Sequence, residues 1–113
     1  PLVSSLNSMG DSPSALAAKY LKGCSGVISF RIKGGKEAAI KFMNSLSLAS
    51  NEVHVADIHT CVLHPASETH RQLTDEQLIA CGITPDLVRF SVGLENVDDI
   101  IADIEQAMKK AFN

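Results

Sequence analysis

The sequence has no tryptophan and a single tyrosine, and only 4% of its residues are aromatic. It therefore lacks the stacking platforms on which single-stranded nucleic acids are held. Lysine and arginine never gather into a run, and the formal net charge is −3, so no basic stripe awaits a phosphate backbone. No apolar stretch nears the roughly 20 residues that span a bilayer. The first residues also lack the charged-then-apolar layout of a signal peptide. Nucleic acid and membrane are thereby set aside as partners, and a soluble, cytoplasmic protein is expected. Cysteine is scarce: Cys24, Cys61 and Cys81 are odd in number, far apart and set among apolar residues, which points to free, buried thiols. The chain opens on Pro1 rather than a methionine, and the expectation is a piece of a longer protein.

Catalytic and metal signatures are missing too. His54, His59, His64 and His70 fall within seventeen positions, but close ligand pairs of the C-x-x-C or H-x-x-x-H kind do not occur, so no metal site is expected. There is no nucleophile elbow, P-loop or G-x-G-x-x-G. Asp98 with Asp99 and Asp75 with Glu76 are paired carboxylates, yet each pair opens an expected helix, where the dipole accounts for it. Nothing here forms a complete active site.

What is present is the material of one globular domain: 113 residues, 45% hydrophobic and 20% charged. Residues 1–10 read as an opening loop or linker and residues 11–113 as the folded part. Ser12 and Pro13 start a helix whose inward stripe is Leu16, Ala17, Tyr20 and Leu21, with Gly23 as its stop. Gly26 to Lys33 alternates and reads as a half-buried strand. Gly34 and Gly35 break it. A second helix, from about Lys36 to Leu46, turns Ala39, Ile40, Phe42, Met43 and Leu46 inward, Met43 as core filler. Two short strands follow, around Val53 and Val55 and from His59 to Leu63. The polar stretch His64 to His70 is a loop. Thr74 with Gln77 is a capping box that opens a short helix ending at Gly82, and Thr84-Pro85-Asp86 turns the chain into a strand from Leu87 to Gly93. Asn96 caps the last helix, Lys109 and Lys110 close it, and Val97, Ile100, Ile101, Ile104 and Met108 form its stripe. This order implies a two-layer α+β fold, a small, mostly antiparallel sheet of about four strands covered on one face by helices. The other face, with Arg31, Lys33, Arg89 and Ser91, would be open or meet a partner.

The strand Leu87-Val88-Arg89-Phe90-Ser91-Val92-Gly93 carries the most informative residue. Val88, Phe90 and Val92 point one way, which leaves Arg89 on the opposite face, mounted on backbone rather than on a loop. A guanidinium so held is suited to grip a carboxylate or phosphate with two parallel hydrogen bonds. It is equally what the wet face of a one-sided sheet would display.

Two motifs together carry a resemblance. HPASETH, from His64 to His70, and ITPDLVRFSVGLENVDDIIADIEQA, from Ile83 to Ala107, resemble the C-terminal end of the Cys/Met-metabolism family of pyridoxal-phosphate enzymes. GVISFRIKGGKEAAIKFMNSL, from Gly26 to Leu46, is similar to the strand and helix that precede those motifs. HPASETHRQL continuing into ITPDLVR is most similar to the O-acetylhomoserine sulfhydrylase branch. The resemblance implies that Arg89 binds the α-carboxylate of an amino-acid substrate and that residues 11–113 are the small C-terminal domain of a larger enzyme. Pyridoxal phosphate would be bound by the absent N-terminal part, which would also hold the lysine that carries it. The cofactor would act as an electron sink while acetate leaves and sulfide or a thiol adds, giving homocysteine or methionine. No catalytic, cofactor-binding or metal-binding residue is then expected in this chain, and the chain alone is expected to be inactive. The partners implied are the substrate, the rest of the same polypeptide and further copies in a homo-oligomer.

Relatives usually carry Ser or Asn where His54 stands and Gly where Ala56 stands, and the position of His59 varies with substrate. His54 and Thr69 are the candidates beside Arg89 for lining the substrate pocket. Read without the resemblance, the order strand-helix-strand-strand-helix-strand suits a second class of function. This is a stand-alone, ferredoxin-like regulatory or dimerisation module that binds an amino acid by itself.

Overall fold

The computed structural model describes residues 13–23 and 25–112. The expected loop over residues 1–10, the cap at Ser12, the side chain of Leu16 and the thiol of Cys24 lie outside the described residues. Eight elements follow in the expected order: α1 (Pro13–Tyr20), β1 (Val27–Arg31), α2 (Gly35–Ser45), β2 (Ser50–Asn51), β3 (Cys61–Leu63), α3 (Asp75–Ala80), β4 (Leu87–Ser91) and α4 (Val97–Phe112). Among the described residues no helix is long and apolar enough to cross a membrane.

The strands form one sheet in the order β1-β4-β3-β2. β4 is antiparallel to both of its neighbours, while β2 runs parallel to β3. The sheet is therefore mixed, and the α+β, two-layer expectation holds. β1 stands at the edge rather than between other strands, which is not the split arrangement of a ferredoxin-like module.

α2 and α4 cover one face. Phe42 and Ala39 of α2, Ala107 and Ile100 of α4, and Val88, Phe90 and Val62 of the sheet make one buried cluster with Ile32 and Met43. Phe30 meets Phe42 edge to face at 6.0 Å. On the other face the covering is uneven. Cys61 and Leu63, which alternate with Val62 and so point away from the helices, are 1% and 2% exposed. Ser29 and Arg31 of β1 are open. The far face is thus closed at β3 and free only toward β1, a refinement of the wholly open face expected from alternation.

Three stripes fall differently from the sequence pattern. Tyr20 and Leu21 are 70% and 58% exposed, and Ala17 is exposed too, so these described members of the α1 stripe are not packed. In α4, Val97 and Ile101 face out, while Ile100, Asp103, Ala107 and Ala111 are buried. The helix is rolled toward Asp103. The expected strand at Val53 and Val55 is displaced to Ser50 and Asn51. The ladder ends with the bond from Glu52 N–H to Val62 O, and the next carbonyl, that of Val53, is taken by a side chain.

Asp103 explains the roll. Its Oδ1 accepts from the backbone N–H of Ser47 (2.7 Å), and its Oδ2 accepts from those of Leu48 (2.9 Å) and Ala49 (3.1 Å). Gln106 Nε2 donates to Oδ1 (3.0 Å) and to Ser45 O (2.6 Å). The carboxylate thus caps the turn that leaves α2 and enters β2. Burial pushes its pKa up, but the three backbone donors and the Gln106 amide outweigh burial and hold it below the ordinary carboxylate value. A group whose pKa is lowered on folding stabilises the fold fully above its unfolded pKa, and that stability is lost as pH falls through the lower, folded value. Asp103→Asn should therefore cost about 1.5 to 3 kcal/mol at neutral pH. It should also flatten the acid side of the stability curve, which urea melts between neutral and acid pH will show.

Candidate functional site

The two motifs singled out in the sequence touch each other. His64 is fully buried, and its ring lies between Ser67 Oγ on Nδ1 and Pro85 O on Nε2, both at 2.7 Å. A carbonyl only accepts, so Nε2 carries the proton and Nδ1 accepts from the Ser67 hydroxyl. His64 is therefore a strut between the 64–70 loop and the turn that launches β4. The loop is wound tightly on itself, with Ser67 and Glu68 N–H donating to His64 O, and His70 N–H to Pro65 O. With its amide turned so that nitrogen meets acceptors, Asn51 donates to Glu68 Oε1 (2.8 Å) and fastens the loop to β2.

The strut fixes where Arg89 stands. Leu63 pairs with Arg89 across β3 and β4, and the arginine reaches back over that pair toward the chain beyond β2. Its Nη2 donates to Val53 O at 2.7 Å and to His54 O at 3.4 Å. Among the described residues Nε and Nη1 have no hydrogen-bond partner. The segment 53–59 is held at its far end as well. Thr60 donates to Glu95 through both N–H and hydroxyl, each at 2.7 Å, and its Oγ1 accepts from Gly93 N–H (2.9 Å). Leu94 N–H donates to Ile58 O (2.8 Å). A Cβ at Gly93 would come within 2.5 Å of Glu95 Oε2, His59 C and Ile58 O. Glycine ends this strand because two backbones meet there.

Between these anchors His54 stands 64% exposed, with Nδ1 at 2.9 Å from Glu52 Oε2 and 3.5 Å from Asp57 Oδ2. Ala56, between His54 and Asp57, has φ 60 and is the one non-glycine residue at positive φ among the described residues. That conformation costs about 1 to 2 kcal/mol and brings Asp57 back beside the imidazole. Asp57 also accepts from His59 N–H at 3.0 Å. That bond, with the nearby His54 and His59 rings, outweighs partial burial and lowers its pKa. Glu95 is lowered chiefly by the Thr60 N–H, then by the Thr60 hydroxyl. Both carboxylates are charged at neutral pH.

Thr69 is exposed, and its hydroxyl meets His70 Nδ1 (2.8 Å) and Pro65 O (3.4 Å), both in its own loop. Among the described residues no hydrogen bond joins it to Arg89, whereas His54 is joined to it through its carbonyl. The cysteines divide: Cys61 is buried as expected, and Cys81 is exposed, since it closes α3 at the surface. Burial first, then the charges of Glu52, Asp57 and Glu95 against that of Arg89, push the Cys61 thiol up. It is not a nucleophile at neutral pH.

Sequence reading missed Glu52, Asp57, Glu95 and the reason for Gly93. The spacing of Glu52, His54 and Asp57 is no helical or strand signature, and only the turn at Ala56 joins them.

A model of the Cys/Met metabolism PLP-dependent enzymes matches residues 6–109. The chain belongs to that family. Homocysteine synthase of Schizosaccharomyces pombe is 52% identical over 97 residues, which cover 85% of this chain and 23% of that protein. L-methionine gamma-lyase of Fusobacterium nucleatum is 50% identical, over 84% of this chain and 24% of its own length. Among solved structures, cystathionine gamma-lyase from yeast superposes with a TM-score of 0.73 at 46% identity, over 78% of this chain and 22% of that one. This family member thus spans about a quarter of the length of the relatives it matches. Family members depend on pyridoxal phosphate, which is held through a lysine in the resemblance drawn above. Every lysine of this chain is exposed, and none stands in the enclosed surroundings that would shield such a linkage. The residues present do not make a cofactor anchor by themselves.

Gly93→Ala should lower stability by about 1 to 3 kcal/mol through forced overpacking. Because the clash falls at residues 58–59, amide exchange should rise in residues 53–60 before it rises in α2 and α4. Uniform exchange across the chain would count against this local origin.

Proposed function

We propose that residues 11–113 are the C-terminal, substrate-carboxylate-binding domain of a pyridoxal-phosphate-dependent γ-replacement enzyme. Its substrates are O-acetylhomoserine and sulfide or a thiol, and its product is homocysteine or methionine. The observation that supports this most is the mounting of Arg89 on β4, with its guanidinium directed to the carbonyls of Val53 and His54 and three of its N–H groups unused among the described residues. The names of the relatives, homocysteine synthase among them, agree with the chemistry.

The geometry adds a detail to how the clamp closes. A guanidinium meets a carboxylate two-pronged along either of two edges, Nε with Nη2 or Nη1 with Nη2, and both include Nη2. Here Nη2 already donates twice. The 3.4 Å bond to His54 O is the weaker one, so a substrate carboxylate displaces it and leaves the 2.7 Å bond to Val53 O in place. Arg89 thereby stays tethered to Val53 O while it binds. His54 lies on the rim of the pocket, and Thr69 braces the adjoining loop.

In the full-length enzyme Arg89→Ala should lower kcat/KM for O-acetylhomoserine about thirty-fold to several-thousand-fold, the cost of breaking a desolvated charge pair. Cofactor absorbance should remain. Arg89→Lys keeps the charge without the planar fork and should fall between. The 113-residue chain alone should show no saturable amide shifts with O-acetylhomoserine, methionine or cysteine. Saturable binding of one of them without cofactor would make the domain a sensor and overturn this reading.

A further inference from the structure

We infer that His54, backed by Glu52, is the proton acceptor that ionises the sulfur nucleophile, an inference that rests on the function proposed above. Three observations lead to it. The first is the orientation of the ring. Carboxylate oxygens only accept, so the two that face Nδ1, from Glu52 at 2.9 Å and Asp57 at 3.5 Å, fix the proton on Nδ1. In the neutral ring Nε2 then holds a lone pair, and among the described residues it has no partner. A histidine oriented through one nitrogen by a carboxylate, with the other nitrogen free, is the arrangement of a general base.

The second is the backbone around it. The chain adopts a strained conformation at Ala56 that brings Asp57 against the imidazole. Strain of this kind persists where the surrounding structure holds it and gathers at functional sites. The third is location. The backbone carbonyl of His54 is a hydrogen-bond partner of Arg89, so the residue that bears the imidazole adjoins the group that takes the substrate carboxylate.

The step is a proton transfer. His54 Nε2 takes the proton of a thiol or of hydrogen sulfide: the S–H bond breaks, an N–H bond forms, and the electron pair remains on sulfur as the attacking thiolate. The ring then returns its proton to water. The charged groups around His54 are Glu52, Asp57 and Arg89, and the His59 ring also acts on Asp57. Glu52 is a positioning residue, since it acts through the ring.

The test compares wild-type full-length holoenzyme with His54→Gln across thiols of falling pKa, from an alkanethiol to trifluoroethanethiol, near neutral pH. With the alkanethiol the variant should lose about a hundredfold in the thiol-dependent rate, and the deficit should shrink toward about threefold as the thiol ionises by itself. Glu52→Gln should show a smaller deficit with the same trend. A deficit of constant size across the series would overturn the proton-acceptor role and leave the carboxylate clamp standing. Wild-type enzyme that releases no acetate from O-acetylhomoserine would overturn the proposed function, and this inference with it. A second readout needs no turnover: nitrogen NMR of the imidazole in the 113-residue chain should find His54 in its Nδ1–H form, with Nε2–H gaining population when both acceptors are removed in Glu52→Ala with Asp57→Ala. An Nε2–H ring in the wild type would also overturn the role.

Discussion

The carboxylate of Asp103 is the constraint on which the rest of this domain depends. It sits on α4, near the middle of the helix, and takes three successive backbone N–H groups from the turn after α2. These bonds are part-buried, where one to a charged acceptor contributes about 1.5 to 3 kcal/mol. One side chain thereby joins the two helices of the covering layer, sets the roll of α4 and aims the chain into β2. β2 has only two residues and is too short to find its own register. It pairs with β3 where it does because the turn before it is fixed. The segment 53–59 begins from that register, so the site inherits its position from a residue on the opposite side of the sheet.

From β2 onward, order is passed along by polar bonds. His64 ties the 64–70 loop to Pro85, Asn51 ties the same loop to β2, and Thr60 with Glu95 ties β3 to the turn before α4. Each bond joins parts far apart in sequence, and those of His64 and Thr60 are partly shielded from water, where a hydrogen bond is stronger and its absence more costly. Exposed apolar side chains such as Val53, Val55 and Ile58 are carried on a segment fastened at both ends. An exposed loop of this composition is ordinarily mobile. This one is kept in place by Arg89 on one side and Glu95 on the other.

Much of the fold was legible in the sequence because period and punctuation are local. The capping box at Thr74 and Gln77, the cap at Asn96, the inward Ala39, Phe42 and Met43 of α2 and the alternation from Val88 to Phe90 form as read, whereas β4 ends at Ser91, which is buried beside β3, and Val92 is exposed. Failures occurred where a distant group competes with a local preference. Val53 and Val55 have the composition of a strand, but Arg89 takes the Val53 carbonyl and the ladder stops. Val97 and Ile101 have the spacing of a stripe, but Asp103 turns the helix away from them. Tyr20 and Leu21 have the spacing of a stripe, but both are exposed. At the site Arg89 was legible because a charge in a strand of alternating pattern is conspicuous. Glu52 and Asp57 were not, since nothing short of the positive φ at Ala56 brings them to one imidazole.

The openness of the site follows from the same physics. A guanidinium in water binds a carboxylate weakly, since exposed ion pairs contribute about 1 kcal/mol or less, and the same pair gains several-fold when water is excluded. Arg89 is half-buried and His54 faces solvent here, so this chain supplies direction without the fully dry surroundings that make direction valuable. On the proposed reading those surroundings come from the remaining three-quarters of the polypeptide, closing over Val53, Val55 and Ile58. Rigidity in the open half is then what lets closure be specific. A clamp already tethered at Val53 loses little further freedom when the substrate is enclosed, and the strength of binding passes into orientation rather than into ordering the loop.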